Sequence, residues 1–149
     1  MDDIKWLREM LRQELDLMAP SLARIGKNTV IIKDEIDRPI AHARLSARWD
    51  GHEINAFVID PANRGKGISH ELLNRCGGGR LFAYTRDARL QSALMTAGFE
   101  RMRTPGLQAL LSVMASRANS VFWMVILLEF RRLKHQLINL FKYKLFVRE

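Results

Sequence analysis

The strongest constraint on the fold is the order of signals from Glu53 to Leu73, EINAFVIDPANRGKGISHELL. A β-rich apolar run ends at Asp60-Pro61, because proline lacks the N–H that a sheet ladder needs. Two glycines then flank Lys66 behind Arg64, and an apolar-periodic helix begins at once. Strand, bare turn and helix in that order commit the chain to a layered α/β architecture. The turn also has a chemical meaning. The first N–H groups of a helix have no intrahelical partner, and the helix dipole favours an anion there by roughly 0.3–1 kcal/mol. Glycine lets a phosphate approach the backbone without a Cβ in the way. Read alone, Arg64-Gly65-Lys66-Gly67 is equally an ordinary turn with two solvated cations. A Walker A loop is absent, and the dinucleotide fingerprint fails because His70 stands three places after Gly67.

The flanking pattern supplies the rest of the fold. Ile4, Leu7, Leu11, Leu15 and Met18 recur at helical spacing up to Pro20. TVIIKDEI and IAHARLSA read as paired strands, and Asp50-Gly51 as the turn into the next one. LFAYT reads as a buried strand, DARLQSALMTAGF as a helix capped by Asp87, and ERMR as a short strand. PGLQALLSVMASRA is helical by pattern, and SVFWMVILL, apolar and β-branched, is expected as a central strand. The expectation is a mixed α/β sheet covered by helices.

EINAFVIDPANRGKGISHELL resembles the acetyl-CoA-binding segment of the GNAT superfamily of N-acetyltransferases. In that family a strand runs through a V-D-P-type end into [RQ]-x-x-G-x-[GA] and a helix. Arg64 takes the first position, Gly67 the glycine, and Ser69 the last small position, a departure from Gly or Ala. TRDARLQSALMTAGFERM resembles the family's later helix, with Gly98-Phe99 as its closing pair. The similarity runs in element order from Thr29 to Ile126 and is motif-specific over Glu53–Leu73 and Asp87–Phe99. It implies a mostly antiparallel sheet in a domain over residues 1–126; by its own apolar spacing and cations, the segment 127–149 is expected to extend that domain as a basic amphipathic helix.

The resemblance also implies chemistry. Acetyl-CoA would be the co-substrate, its pyrophosphate on Arg64, Gly65, Lys66, Gly67, Ile68 and Ser69. The pantetheine arm would pair with the backbone of Phe57, Val58 and Ile59, where an N–H polarises the thioester carbonyl. Asp87 falls where the family often has a cofactor-side asparagine. The acceptor is an amine, of a small molecule or a protein, that attacks the thioester directly. Glu53, eleven residues before Arg64, is the candidate general base, expected among apolar neighbours on a strand face shared with Asn55 and Phe57. A solvated glutamate at a strand start is the plainer alternative. The family's tyrosine acid falls on Leu94, and Tyr84 is the candidate substitute. A second reading keeps the fold as a catalytically weak or inactive module that binds CoA, nucleic acid or membrane.

Charge and length narrow the partners. A 149-residue chain of net charge +8 and pI about 10.2 implies one domain with an anionic partner. Aromatic residues interleaved with cations are sparse, so no specific nucleic acid is expected. Cys76 is the only cysteine, and the four histidines show no metal-ligand spacing with it, so no metal site is expected. No run reaches about 18 uninterrupted apolar residues, and the N-terminus does not read as a signal peptide. The expected location is cytoplasmic, with contact at a membrane surface open. Phe130, Leu133, Leu137, Leu140 and Phe141 form a helical stripe among cations, suited to packing, a homodimer or a membrane surface.

Overall fold

A computed structural model describes residues 2–149. Helix α1 (Asp3–Gln13) starts at Asp2, whose Oδ1 accepts the Ile4 N–H at 3.1 Å. Strands β1 (Thr29–Lys33), β2 (Pro39–Arg48) and β3 (Gly51–Ile59) follow as an antiparallel meander. The glycine turn leads into α2 (Ile68–Arg75), and β4 (Leu81–Thr85) follows. Then come α3 (Ala88–Thr96), β5 (Glu100–Met102), α4 (Leu107–Ile126), α5 (Phe130–Ile138) and β6 (Lys144–Arg148). The six strands lie in the order β1-β2-β3-β4-β6-β5. Among the described residues only β3 and β4 pair in parallel.

Strand alternation sends side chains to two cores. On one face Leu72 and Leu73 of α2 and Ala93 and Leu94 of α3 meet Ile54, Ala83 and Phe146. On the other, Leu7 and Leu11 of α1 bury Val58, while Ala109 and Val113 of α4 cover Phe82, Leu145 and Val147. The sheet is therefore a three-layer sandwich, and the mixed, mostly antiparallel architecture expected from the sequence is the one observed.

Two expectations are corrected. SVFWMVILL is not a central strand: Ser120–Ile126 continues α4. No glycine, proline or turn signal separates it from the helix before it, so propagation overrides β-branched preference. Residues 127–149 are not purely a helical extension. They contain the basic helix α5, but they end as β6, inserted between β4 and β5. The same misreading hid a long apolar helix. At 20 residues and mean hydropathy 1.4, α4 is long and apolar enough to cross a membrane, yet its inner face packs on the sheet.

The helical connection between β5 and β6 is tied to the N-terminal region by polar contacts. Arg132, buried, donates to the carbonyls of Leu11, Glu14 and Leu17 at 2.7–2.9 Å. Asp16 gathers Arg86, His135 and Tyr143 at 2.7–3.0 Å.

Candidate active site

β3 and β4 pair only at their starts, His52 with Leu81 and Glu53 with Phe82. Beyond that pair the strands part, and the backbone of Phe57, Val58 and Ile59 has no β4 partner. A bulge on β3 accompanies the opening. Arg44 opposes Asn55 while His42 opposes Val58, so β3 carries one extra residue, with Ala56 at φ 47. The bulge reverses the alternation. Glu53 and Asn55 face the α4 side, but Phe57 packs in the core under α2. The expected sharing of one face by Glu53, Asn55 and Phe57 is corrected accordingly.

At the far end of β3, Asp60 caps a short turn by accepting the Ala62 N–H at 2.9 Å. Gly65 and Gly67 both adopt φ 76, and Gly67 is the N-cap of α2. A side chain at either position meets strained backbone rather than a neighbour, because nothing lies within 4 Å of the Cβ position. Among the described residues the N–H groups of Gly65, Lys66 and Gly67 have no acceptor. Arg64 and Lys66 make only exposed contacts, to Glu14 at 3.4 Å and Asn63 at 3.2 Å, so both cations are available to a ligand. Ile68 and Ser69 open the helix, half-buried.

Glu53 is fully buried, and its surroundings are ionic. Arg48 holds its Oε2 through Nε at 2.9 Å and Nη2 at 2.5 Å, and Arg117 of α4 holds Oε1 at 2.5 Å. Arg48 also donates to Ser116 at 3.2 Å. The expected carboxylate among apolar neighbours is thus a clamped one, with guanidinium N–H groups on both oxygens. Arg48 is 8% exposed and Arg117 51%, so the second clamp alone reaches solvent.

Tyr84 stands on the same sheet face, two residues along β4 from Phe82. The Arg117 guanidinium lies 5.8 Å from its ring centre. Burial first, and then the Glu53 charge, push the phenol above its usual range, partly offset by Arg117. Leu94 is buried on the opposite face, so Tyr84 does not take over its position. Asp87 is committed to α3: its Oδ1 accepts the Arg89 N–H at 2.8 Å. Burial alone would raise its pKa, but the bonds from Arg89 outweigh that and hold it below the ordinary carboxylate value. Cys76 is buried, and burial pushes its thiol up to about 11, which leaves it unreactive.

A groove of about 900 Å³ runs from Tyr84 along the ends of β4, β5 and β6. Arg86, Arg101, Arg103, Lys142 and Lys144 line it; among the described residues no carboxylate does, although Asp16 backs Arg86 and Tyr143.

With this geometry in view, the model of the Acetyltransferase (GNAT) family matches residues 3–76. The match includes the bulged β3, the glycine turn and α2. Over those residues the chain belongs to the GNAT acetyltransferase family. Solved structures agree in fold. The Mycobacterium tuberculosis protein Rv2747, in complex with CoA and a second ligand, superposes with a TM-score of 0.65 at 18% identity, over 97% of this chain and 92% of that one. N-acetylglutamate synthase from Neisseria gonorrhoeae, complexed with coenzyme A and N-acetyl-glutamate, gives 0.61 at 18% identity, over 99% of this chain but a third (33%) of that one. A phosphinothricin acetyltransferase from Sinorhizobium meliloti in complex with AcCoA gives 0.52 at 18% identity, over 72% and 78% of the two chains. No curated protein matches the chain in sequence.

Within this GNAT domain the sequence pointed to Glu53 and Tyr84 but missed Arg48, Ser116 and Arg117. Arg48 was within reach of the hairpin register: it opposes Gly51 beside the Asp50-Gly51 turn, diagonal to Glu53. Ser116 and Arg117 carried no local signal, since only the packing of α4 brings them to Glu53.

Proposed function

We propose that this GNAT domain transfers the acetyl group of acetyl-CoA to a primary amine by direct attack of the amine on the thioester. The observation that carries the reading is the parting of β3 and β4 immediately after Glu53, with the glycine turn at the end of the freed strand. Open space at Gly65 and Gly67 and their uncommitted N–H groups fit the pyrophosphate of CoA. When bound, CoA supplies the acetyl thioester. Arg64 to Ser69 bind the diphosphate, and the backbone of Phe57 to Ile59 orients the pantetheine arm.

An amine with a pKa near 10.4 needs about 4–5 kcal/mol to deprotonate at pH 7. Glu53 accepts that proton through Oε1 once the half-exposed Arg117 turns out to solvent, while Arg48 keeps the carboxylate in place. The new C–N bond forms as the C–S bond breaks. Tyr84, kept protonated by burial and by the Glu53 charge, hands its proton to the leaving sulfur. Arg86 is held by Asp16, and the other four cations of the groove favour an acceptor that carries a negative charge of its own. The N-acetyl-glutamate bound in the Neisseria gonorrhoeae neighbour carries such charge.

The clamped Glu53 and the buried Leu94 support a second reading, a CoA-binding module with little turnover. Calorimetry with acetyl-CoA and a CoA-release screen over neutral and anionic amines separate the two. Binding with turnover on an anionic amine supports transfer; binding without turnover on any amine supports the module; no binding ends both. Glu53→Gln and Tyr84→Phe are expected to lower turnover roughly 10²-fold each while leaving acetyl-CoA affinity within a few-fold.

A further inference from the structure

α4 leaves an ordered apolar stripe uncovered. Leu107, Leu111, Met114, Ala118, Val121 and Val125 are all exposed, the five larger ones by 40–73%. They lie on the side of the helix opposite Ala109, Val113 and Met124, which pack inward. Their spacing alternates four and three residues, the seam of a helix that expects another helix. It also reads the same in both directions. Longer side chains occupy its first half and shorter ones its second.

We propose that this stripe is a homodimer interface in which α4 packs antiparallel against α4 of a second copy. A two-fold axis near Ser116 sets Leu107 against the partner's Val125, Leu111 against the partner's Val121 and Met114 against the partner's Ala118. Each layer then joins one long and one short side chain, so the layers fill evenly. A parallel pair would stack Ala118 on its own copy and leave a gap at the centre.

Area supports a partner of this size. The accessible surface is 8955 Å², against ~7,800 Å² for a compact monomer of 17.2 kDa. The surplus over the whole chain, roughly 1,100 Å², has room for the ~800 Å² that each partner buries in a standard interface. A lipid surface fits less well. The only charge on α4 is Arg117, and it is spent on Glu53, so the helix itself offers no free cation to anionic lipid. The interface would also brace the site, because the inner edge of the same helix carries Ser116 and Arg117 to Arg48 and Glu53.

Sedimentation of the full chain between about 1 and 100 μM tests the association, and disulfide trapping tests the direction. The wild type is expected at twice the 17.2 kDa chain mass. Leu111→Lys, at a position 49% exposed, is expected to sediment as a folded monomer with unchanged circular dichroism. Leu111→Cys combined with Val121→Cys should form an interchain disulfide, and Leu111→Cys alone should not; Cys76 is buried and stays out of the reaction. A monomeric wild type at 100 μM overturns the proposal, whether or not it floats with anionic vesicles. Trapping by Leu111→Cys alone, or a dimer that survives Leu111→Lys, overturns the antiparallel seam.

Discussion

The segment from Glu53 to Leu73 and the connection from Arg103 to Tyr143 build one site by opposite means. In the first, each turn is dictated by residues at that turn. Pro61 ends the strand, Asp60 caps the bend, and Gly65 and Gly67 take φ 76, which side chains resist. In the second, no local residue dictates the outcome. Its helices are held by contacts far along the chain: Arg132 on the carbonyls of Leu11, Glu14 and Leu17, Asp16 on His135 and Tyr143, Glu53 on Arg117. The glycine-turn half of this candidate site is a local structure, whereas the half that closes over Glu53 depends on long-range polar latches.

Breaking the main latch should have the largest effect. Arg132→Met keeps the stem but removes the donors to Leu11, Glu14 and Leu17, at a cost of about 3 kcal/mol. For a domain of this size that lowers Tm by about 10 °C. If the connection is integral, far-UV and near-UV signals melt together in one transition. A separate early transition would mean that α4 and α5 ride on the domain without sharing its cooperativity.

The same division explains what could be read in advance. β1 to β3, the glycine turn, α2 and α3 were legible because alternation, caps and breakers are written locally. Glu53 and Tyr84 were legible as candidates through the family pattern. The end of the chain was not. An apolar, β-branched run such as Val121–Leu128 suits a buried strand and a buried helix alike, and only the absence of a breaker after Gly106 decides for the helix. Reading that run as the last strand leaves Lys144–Arg148 no vacancy in the sheet. The partners of Glu53 were hidden for the same reason, since Arg117 lies 64 residues away.

A smaller effect sharpens the local side of the comparison. Gly67→Val forces a β-branched residue into φ 76, costing about 1–2 kcal/mol in stability. Acetyl-CoA affinity should fall further, by at least about tenfold, because the side chain occupies the open space before the uncommitted N–H groups. Gly79→Val is the control: it has φ 82 and an equally open surrounding, but lies between α2 and β4. It should lose similar stability and keep its affinity in calorimetry. Equal affinity losses in both variants would reduce the turn to a structural feature.

The smallest effect concerns His42, where the β3 bulge meets the core. Its Nδ1 lies 3.0 Å from the Ala56 carbonyl, which only accepts, so Nδ1 carries the proton. Nε2 is buried with no partner among the described residues. Burial lowers the pKa from the ordinary 6.5, with Arg44 adding to it and the Ala56 bond opposing. The folded state therefore resists a proton that the unfolded chain accepts. The stability this group contributes is complete above pH 6.5 and is lost as pH falls from there through the folded value. Asp16 does not confuse that window. Burial alone would raise its pKa, but the bonds from Arg86, Tyr143 and His135 lower it below 3.8, so its contribution persists to more acid pH. Tm should decline between pH 6.5 and 5 in the wild type, and His42→Gln should flatten the decline. Acetyl-CoA affinity should weaken over the same range, because the bulge that His42 secures is what parts β3 from β4. An affinity independent of pH there would show that the opening holds without this histidine, and that the local half of the site is more self-sufficient than its hydrogen bonds suggest.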